Sequence, residues 1–333
     1  MDGPVVVAHP VRDDARVRVS VLDTSPIVAG STAREALQRT VDLAALADEL
    51  GYHRYWLPEH HSMRGVASAA PAVAAARVAD ATRRIRVGAG GVLLLNHPPL
   101  VVAEQFGTLA AFHPGRIDLG LGRALGGPQR VADALNPGPA ESFSSRIKEL
   151  LTYFSDSDQP LRATPAQGNV PDVWLLGSST ANAHLAAELG LPYAFAYHLR
   201  PAEAAAATRI YRETFRPGRT LEPSIVVSVA VVAAATEERA EWLARSIRAK
   251  ALSRSRGERI LLPRPEDATV DPAIGPGPVL AGAPAALRNS LRTVIAETGA
   301  DELMITTPIH DHAERKRSYA LVREISDTLP PRA

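Results

Sequence analysis

The residues most able to do chemistry fall in short polar clusters, each set just after or inside an apolar run. Glu59-His60-His61 follows Tyr55-Trp56-Leu57, and a histidine beside a carboxylate exchanges protons near neutral pH. Gly88-Ala89-Gly90-Gly91 interrupts a Val/Leu run, and Gly90 and Gly91 present bare backbone against which a flat ring fits. Arg123, after Gly122, offers a forked cation for a phosphate. Ser178 and Ser179 open a helix whose free N–H groups favour an anion. His198 and His310-Asp311-His312 complete the set. Taken singly, each has a plainer reading. A lone histidine packs or caps, a glycine run marks a bulge, an arginine pairs structurally, and a serine caps a helix. Recurrence at the same end of successive strands is what joins them into a candidate site.

The elements that must position them alternate. Strand-like apolar runs at 17–22, 54–57, 85–95, 117–121, 173–176, 193–197, 225–235 and 301–307 are each followed by an amphipathic helix. In the first helix Leu43, Leu46, Ala47 and Leu50 share one face, Thr32 and Glu35 have capping-box spacing, and Gly51 stands at the expected C-cap. Nearly continuous apolar strands alternating with helices predict a parallel α/β architecture, and eight units favour a closed (β/α)8 TIM barrel. One domain is expected over 17–330, after an N-terminal extension at 1–16. The Pro-, Gly- and charge-rich stretch 254–284 breaks the rhythm before an extra helix at 284–297. It is expected to be a lid or mobile insertion preceding the last β/α unit.

Composition narrows the function. The chain has 333 residues, no cysteine and a formal net charge of +1. Disulfides, thiolate metal sites and cysteine nucleophiles are excluded. Nothing marks a nucleic-acid binder. No apolar stretch is long enough to span a bilayer, and a cytoplasmic location is expected. His60, His61, His310 and His312 match no ligand spacing such as HExxH, so no metal site is expected and a metal-dependent hydrolase is disfavoured. The glycines around Gly120, Gly122 and Gly126 miss the GxGxxG spacing of a nicotinamide dehydrogenase.

Five segments carry a resemblance to a known family. They are SVLDTSPIVAGST, LADELGYHRYWLPEHH, IRVGAGGVLLLNHPPLVVAEQFGTLAAFHPGRIDLGLGR, VWLLGSSTANAHLAAELGLPYAFAYH and DELMITTPIHDHAERKRSY. They run over 17–319, and the third is the most specific. The chain resembles the bacterial luciferase-like flavin monooxygenase superfamily, in its luciferase-like oxidoreductase subgroup. The resemblance implies a (β/α)8 barrel, often a homodimer, that receives reduced FMN from a separate NAD(P)H-dependent flavin reductase. It implies that O2 then oxygenates a small organic or natural-product substrate through a C4a-peroxyflavin.

Matched by motif, the resemblance assigns His60 and Glu59 to the flavin ring. His60 would protect or protonate the oxygenated flavin, and Glu59 would orient His60 or contact the flavin. Gly90 and Gly91 become the small pair beside the ring, Arg123 the phosphate ligand, and Ser178 and Ser179 the phosphate-facing loop, with Asn182 one turn on. Gly122 stands where luciferases have a cysteine, so light emission is not implied. The ALGGPQ segment after Arg123 and the stretch 136–168 depart from the family at the substrate-facing wall. Trp56, Phe112, Tyr197 and His198 are the candidate pocket aromatics and imidazole. Two further readings stay open on the same barrel: a deazaflavin (F420) hydride-transfer enzyme and a non-catalytic subunit.

Overall fold

The computed structural model describes residues 16–155, 160–269 and 277–330; the expected extension at 1–16 lies almost wholly outside them. Eight strands form a closed parallel ring. In chain order they are β1 (Arg18–Leu22), β2 (Arg54–Leu57), β3 (Arg86–Leu93), β4 (Ile117–Gly122), β5 (Asp172–Gly177), β6 (Tyr193–Phe195), β7 (Ile225–Ala233) and β9 (Glu302–Thr306). Each strand from β1 to β7 pairs with the next, β7 pairs with β9, and β9 returns to β1. Helices α1 (Ala33–Leu50), α2 (Pro71–Ala81), α3 (Pro99–Phe112), α6 (Thr180–Glu188), α7 (Ala204–Thr214), α8 (Glu237–Ser255) and α10 (His312–Ser326) follow seven of the strands. After β4 the chain forms two helices, α4 (Gln129–Leu135) and α5 (Phe143–Thr152), where one was expected. The Thr32–Glu35 capping box is present, and Gly51 closes α1 with a left-handed φ of 80°.

Alternation along the strands sorts side chains between two compartments. Val19, Val21, Tyr55, Leu57, Leu119 and Leu303 face the helices and join the main core. Leu22, Trp56, Trp174, Ala194, Val226 and Met304 face inward and fill a second, smaller cluster inside the ring.

Below that cluster the barrel floor is charged. Arg54 is 4% exposed and bonds Asp118 at 2.9 Å and Glu302 at 2.8 Å. Its guanidinium lies 4.6 Å from the Trp174 ring centroid, and the Trp56 indole N–H donates to Asp118 at 2.8 Å. Arg86 bridges Asp118 and Asp172. Buried charges persist only when paired and hydrogen-bonded, and here each has its partners.

The stretch expected as a lid holds a strand that periodicity did not reveal. β8 (Val279–Gly282) lies outside the ring and pairs with the second half of β7, from Ala230 to Ala233. Helix α9 (Pro284–Thr298) follows it. Before β8, Leu262 is fully buried and exchanges backbone hydrogen bonds with Ile27 and Ala29. Residues 270–276 are outside the described set.

Candidate functional site

A cavity of about 620 Å³ opens at the carboxyl ends of the strands. Glu59, His60, Gly90, Gly91, Arg123, Ser178, Ser179 and Asn182 all line it. Its floor is the inner apolar cluster, with Leu22, Trp56, Val226 and Met304 exposed to it from below.

Three groups around this cavity have no partner among the described residues. Burial pushes the His60 imidazole down to about 4, with the charge of Lys250 acting in the same direction, and its Nδ1 is buried without a hydrogen bond. Its backbone N–H donates to Ser68 O at 2.9 Å, which fixes the loop and leaves the ring free. Arg123 is exposed at the rim and forms no ion pair among the described residues. Ser179 stands at the N-cap of α6, yet its side chain makes no capping bond, and the Ser178 hydroxyl is equally free. Helix capping therefore does not explain the Ser-Ser pair. What remains there is an uncapped first turn that carries positive potential.

Other expected residues have different duties. Glu59 is 3% exposed. Its Oε1 accepts from His61 Nε2 at 2.6 Å and from His97 Nε2 at 2.8 Å, and its Oε2 accepts from the Leu93 N–H at 3.0 Å. None of these bonds goes to His60. Burial alone would raise the Glu59 carboxyl, but the bonds from His97, Leu93 and His61 together hold it below its ordinary value. Asn182 spends its amide on Leu176 O at 2.7 Å, so it buttresses the end of β5.

The glycine pair answers first to packing. A Cβ on Gly90 would lie 2.9 Å from Trp56 Cβ, and one on Gly91 would lie 2.6 Å from Gly120 O. The pairing of β3 with β4 slips between Ala89 and Val92, so the pair occupies a bulge, and the Gly90–Gly91 peptide is cis. Trp56 and His198 line the cavity as expected. Phe112 does not: it is 75% exposed at the outer end of α3. Tyr197 packs on the helix-facing core. His312 pairs with Asp42, and His310 meets Ala29 O, and neither lines the cavity.

A model of the luciferase-like monooxygenases matches residues 17–302. The chain belongs to the luciferase-like monooxygenase family. A luciferase-like monooxygenase of Escherichia coli is 42% identical, over 95% of this chain and 99% of that protein. The N-acetyl-S-alkylcysteine monooxygenase of Bacillus subtilis is 35% identical, over 92% and 98%. The crystal structure of apo-MsnO8 superposes with a TM-score of 0.89 at 39% identity, covering 95% of this chain and all of that one. At fold level only, the barrel is shared with the oxygenating constituent of 3,6-diketocamphane monooxygenase from Pseudomonas putida, solved with FMN (TM-score 0.71, 17% identity), covering 94% of this chain and 99% of that one. It is likewise shared with an F420-dependent secondary alcohol dehydrogenase (TM-score 0.68, 13% identity), covering 93% and 99%. The chain is an enzyme of this monooxygenase family.

In this luciferase-like monooxygenase one wall escaped sequence reasoning. Ile247, Lys250, Ala251 and Arg254 line the cavity from α8. Their i, i+3, i+4, i+7 spacing was the available signal. Ser253 also lines it, 6% exposed and with its hydroxyl unpartnered. Burial, then the Arg254 charge, push the Lys250 ammonium down to about 8. His198 donates or accepts at Ser228 Oγ, 2.8 Å away, and burial pushes it down to about 4. Among the described residues no helix is long and apolar enough to cross a membrane.

Proposed function

We propose that the protein is a reduced-FMN- and O2-dependent monooxygenase that inserts one oxygen atom into a small organic substrate. The observation that carries this is the convergence of unpartnered groups on one cavity: His60 Nδ1, the Arg123 guanidinium and the Ser178 and Ser179 hydroxyls. An unpaired arginine beside an uncapped helix start suits a phosphate. An orphaned imidazole nitrogen on a residue that lines the cavity suits a ligand with a polar edge. The bulge at Gly90–Gly91 gives a ring close access to backbone. Arg123, Ser178 and Ser179 would hold the phosphate, and His60 would face the ring.

Reduced flavin, when bound, supplies the two electrons that activate O2; the second oxygen atom leaves as water. The chain's own residues do the rest. His60, neutral above about pH 4, offers one donor and one acceptor at the reacting centre. Glu59 ties the loop that carries His60 to the end of β3 at Leu93. Leu22, Trp56, Val226 and Met304 keep water from the floor. Glu258, Arg259 and Ile260, just beyond α8, line the cavity and are read as part of its cover. A separate NAD(P)H-dependent reductase and a homodimeric state belong to the same proposal.

The test is turnover with an FMN reductase, NADH, O2 and a panel of thioethers, amines and ketones, read as a one-oxygen mass gain. Oxygen-free turnover with reduced or oxidised F420 instead would replace the reading with hydride transfer. Failure to bind reduced FMN at all would leave a non-catalytic barrel.

A further inference from the structure

The cavity has two cationic walls, and one phosphate accounts for only one of them. Arg123, Ser178 and Ser179 stand at the ends of β4 and β5. Lys250, Ser253 and Arg254 stand on α8, which follows β7, three places round the ring from β4. We infer that the α8 wall is a carboxylate subsite, and that the oxygenated substrate is a small organic acid with an apolar body. This inference rests on the proposed monooxygenase reading and names the substrate class for it.

Four observations support it. Lys250 lines the cavity and donates to Gly65 O at 2.9 Å and to nothing else among the described residues, which leaves two N–H donors unused. Arg254 has no ion pair among those residues. Ser253 stands on the same wall, buried and with its hydroxyl unsatisfied among the described residues, a group that calls for a partner. Glu258 is the nearby carboxylate on the cover, and it pairs with none of these cations. Two unneutralised cations and an idle hydroxyl on one helical stripe make a donor set for a planar anion. Burial and Arg254 already press the Lys250 ammonium down, so a bound anion relieves a strain that the protein leaves in place.

The rest of the chamber sets the body of the ligand. Ile247 and Ala251 share the stripe, and Val226 and Met304 lie beneath. His60 and Lys250 line one cavity, so an acid seated on α8 lies in the same chamber as the candidate reacting centre. An acid headgroup at Lys250 and Arg254 holds the apolar body toward His60 and the floor.

The experiment is calorimetric titration of the FMN-loaded protein with matched acid and amide pairs: 4-phenylbutyrate and its amide, hexanoate and its amide, and N-acetyl-S-benzylcysteine and its amide. At least one acid should bind about tenfold or more tightly than its amide, the effect of one charge-assisted hydrogen bond. Arg254→Met, at an exposed position that does not threaten folding, and Ser253→Ala should each shrink the preference. Lys250→Met should abolish it. FMN affinity, titrated on the same variants, should stay unchanged. Equal binding of acids and amides, no binding by any acid, or a preference that survives Lys250→Met together with Arg254→Met would each overturn the inference. So would loss of acid binding in Arg123→Ala alone, because the acids would then be occupying the phosphate wall. If FMN fails to bind, the same titrations on flavin-free protein still read the acid preference, so the two proposals fail separately.

Discussion

His97 Nε2 lies 2.8 Å from Glu59 Oε1, across 38 residues of sequence, and this bond ties the loop after β3 to the end of β2. His61 reaches the same oxygen, and the Leu93 N–H takes the other. Glu59 is thus the clamp that gathers two neighbouring strand ends around the cavity mouth. Its effect on His60 passes through the backbone they share.

The clamp has a pH signature. Glu59 is held below its ordinary value, so the unfolded chain binds its proton more readily than the folded one. Its contribution is fully present above the unfolded carboxylate range and is lost as pH falls through the lower folded value. Glu59→Gln should lower stability by about 1–3 kcal/mol at neutral pH, the cost of unsatisfied buried partners. The gap in melting temperature between wild type and variant should narrow below about pH 4.5. A gap that stays constant from neutral pH down into the acid range would remove the clamp from the account.

Arg123 predicts the opposite pattern, with binding lost and stability kept. The guanidinium is exposed and forms no bond or ion pair among the described residues, so Arg123→Ala removes no contact seen in the fold. Affinity for reduced FMN, followed by anaerobic fluorescence titration, should fall about tenfold to a hundredfold, the worth of charge-assisted bonds to a phosphate. Riboflavin, which lacks the phosphate, should be bound equally by wild type and variant. A matching loss for riboflavin would move Arg123 away from the phosphate.

Two glycines two positions apart along β3 and β4 should respond differently to alanine. A Cβ on Gly91 meets the Gly120 carbonyl at 2.6 Å, a backbone atom that cannot move alone. A Cβ on Gly122 meets the Leu93 Cδ2 at 3.3 Å, the end of a side chain that can rotate. Gly91→Ala should cost about 1–3 kcal/mol or more in urea unfolding, as overpacking does, and Gly122→Ala under about 1 kcal/mol. Equal costs would mean that the bulge tolerates side chains and that the glycine pair serves ligand access alone.

What the sequence made legible follows from what has a period. Strand and helix alternation is periodic, so the ring and the cap of α1 at Thr32 and Glu35 were readable. Polar residues after strands were readable as a group because a parallel barrel gathers those ends. Single charges at strand starts have no period. Arg54, Asp118 and Glu302 look like surface residues in sequence, and only ring closure turns them inward onto one another. β8 was missed because Val279, Leu280, Ala281 and Gly282 are too few to show alternation and pair outside the ring. Phe112 misled because aromatic type says nothing about direction at a helix end. Lys250 was hidden in an evidently charged helix, where the cavity-facing stripe is distinguished by placement and not by composition.

His60 carries the last prediction. Burial pushes its imidazole from 6.5 down to about 4, with the charges of Lys250, His61 and His198 acting in the same direction and that of Glu59 opposing. Between those two values the unfolded chain takes up a proton that the folded chain refuses. His60 therefore adds stability above about pH 6.5 that is lost as pH falls toward 4, at most about 1.4 kcal/mol per pH unit. His60→Asn has no such group. Its stability relative to wild type should rise as the buffer is taken from pH 7 to pH 4.5, measured by urea unfolding at each pH. The same neutrality sets the activity profile, because an imidazole uncharged throughout the neutral range gives kcat/KM no acid limb near 6.5. Loss of the orphaned Nδ1 in His60→Asn should lower the yield of oxygenated product per reduced FMN consumed, with FMN affinity nearly unchanged. A wild-type limb at 6.5 that disappears in the variant would mean that His60 titrates as an exposed histidine does, and its place in the dry part of the cavity would be wrong.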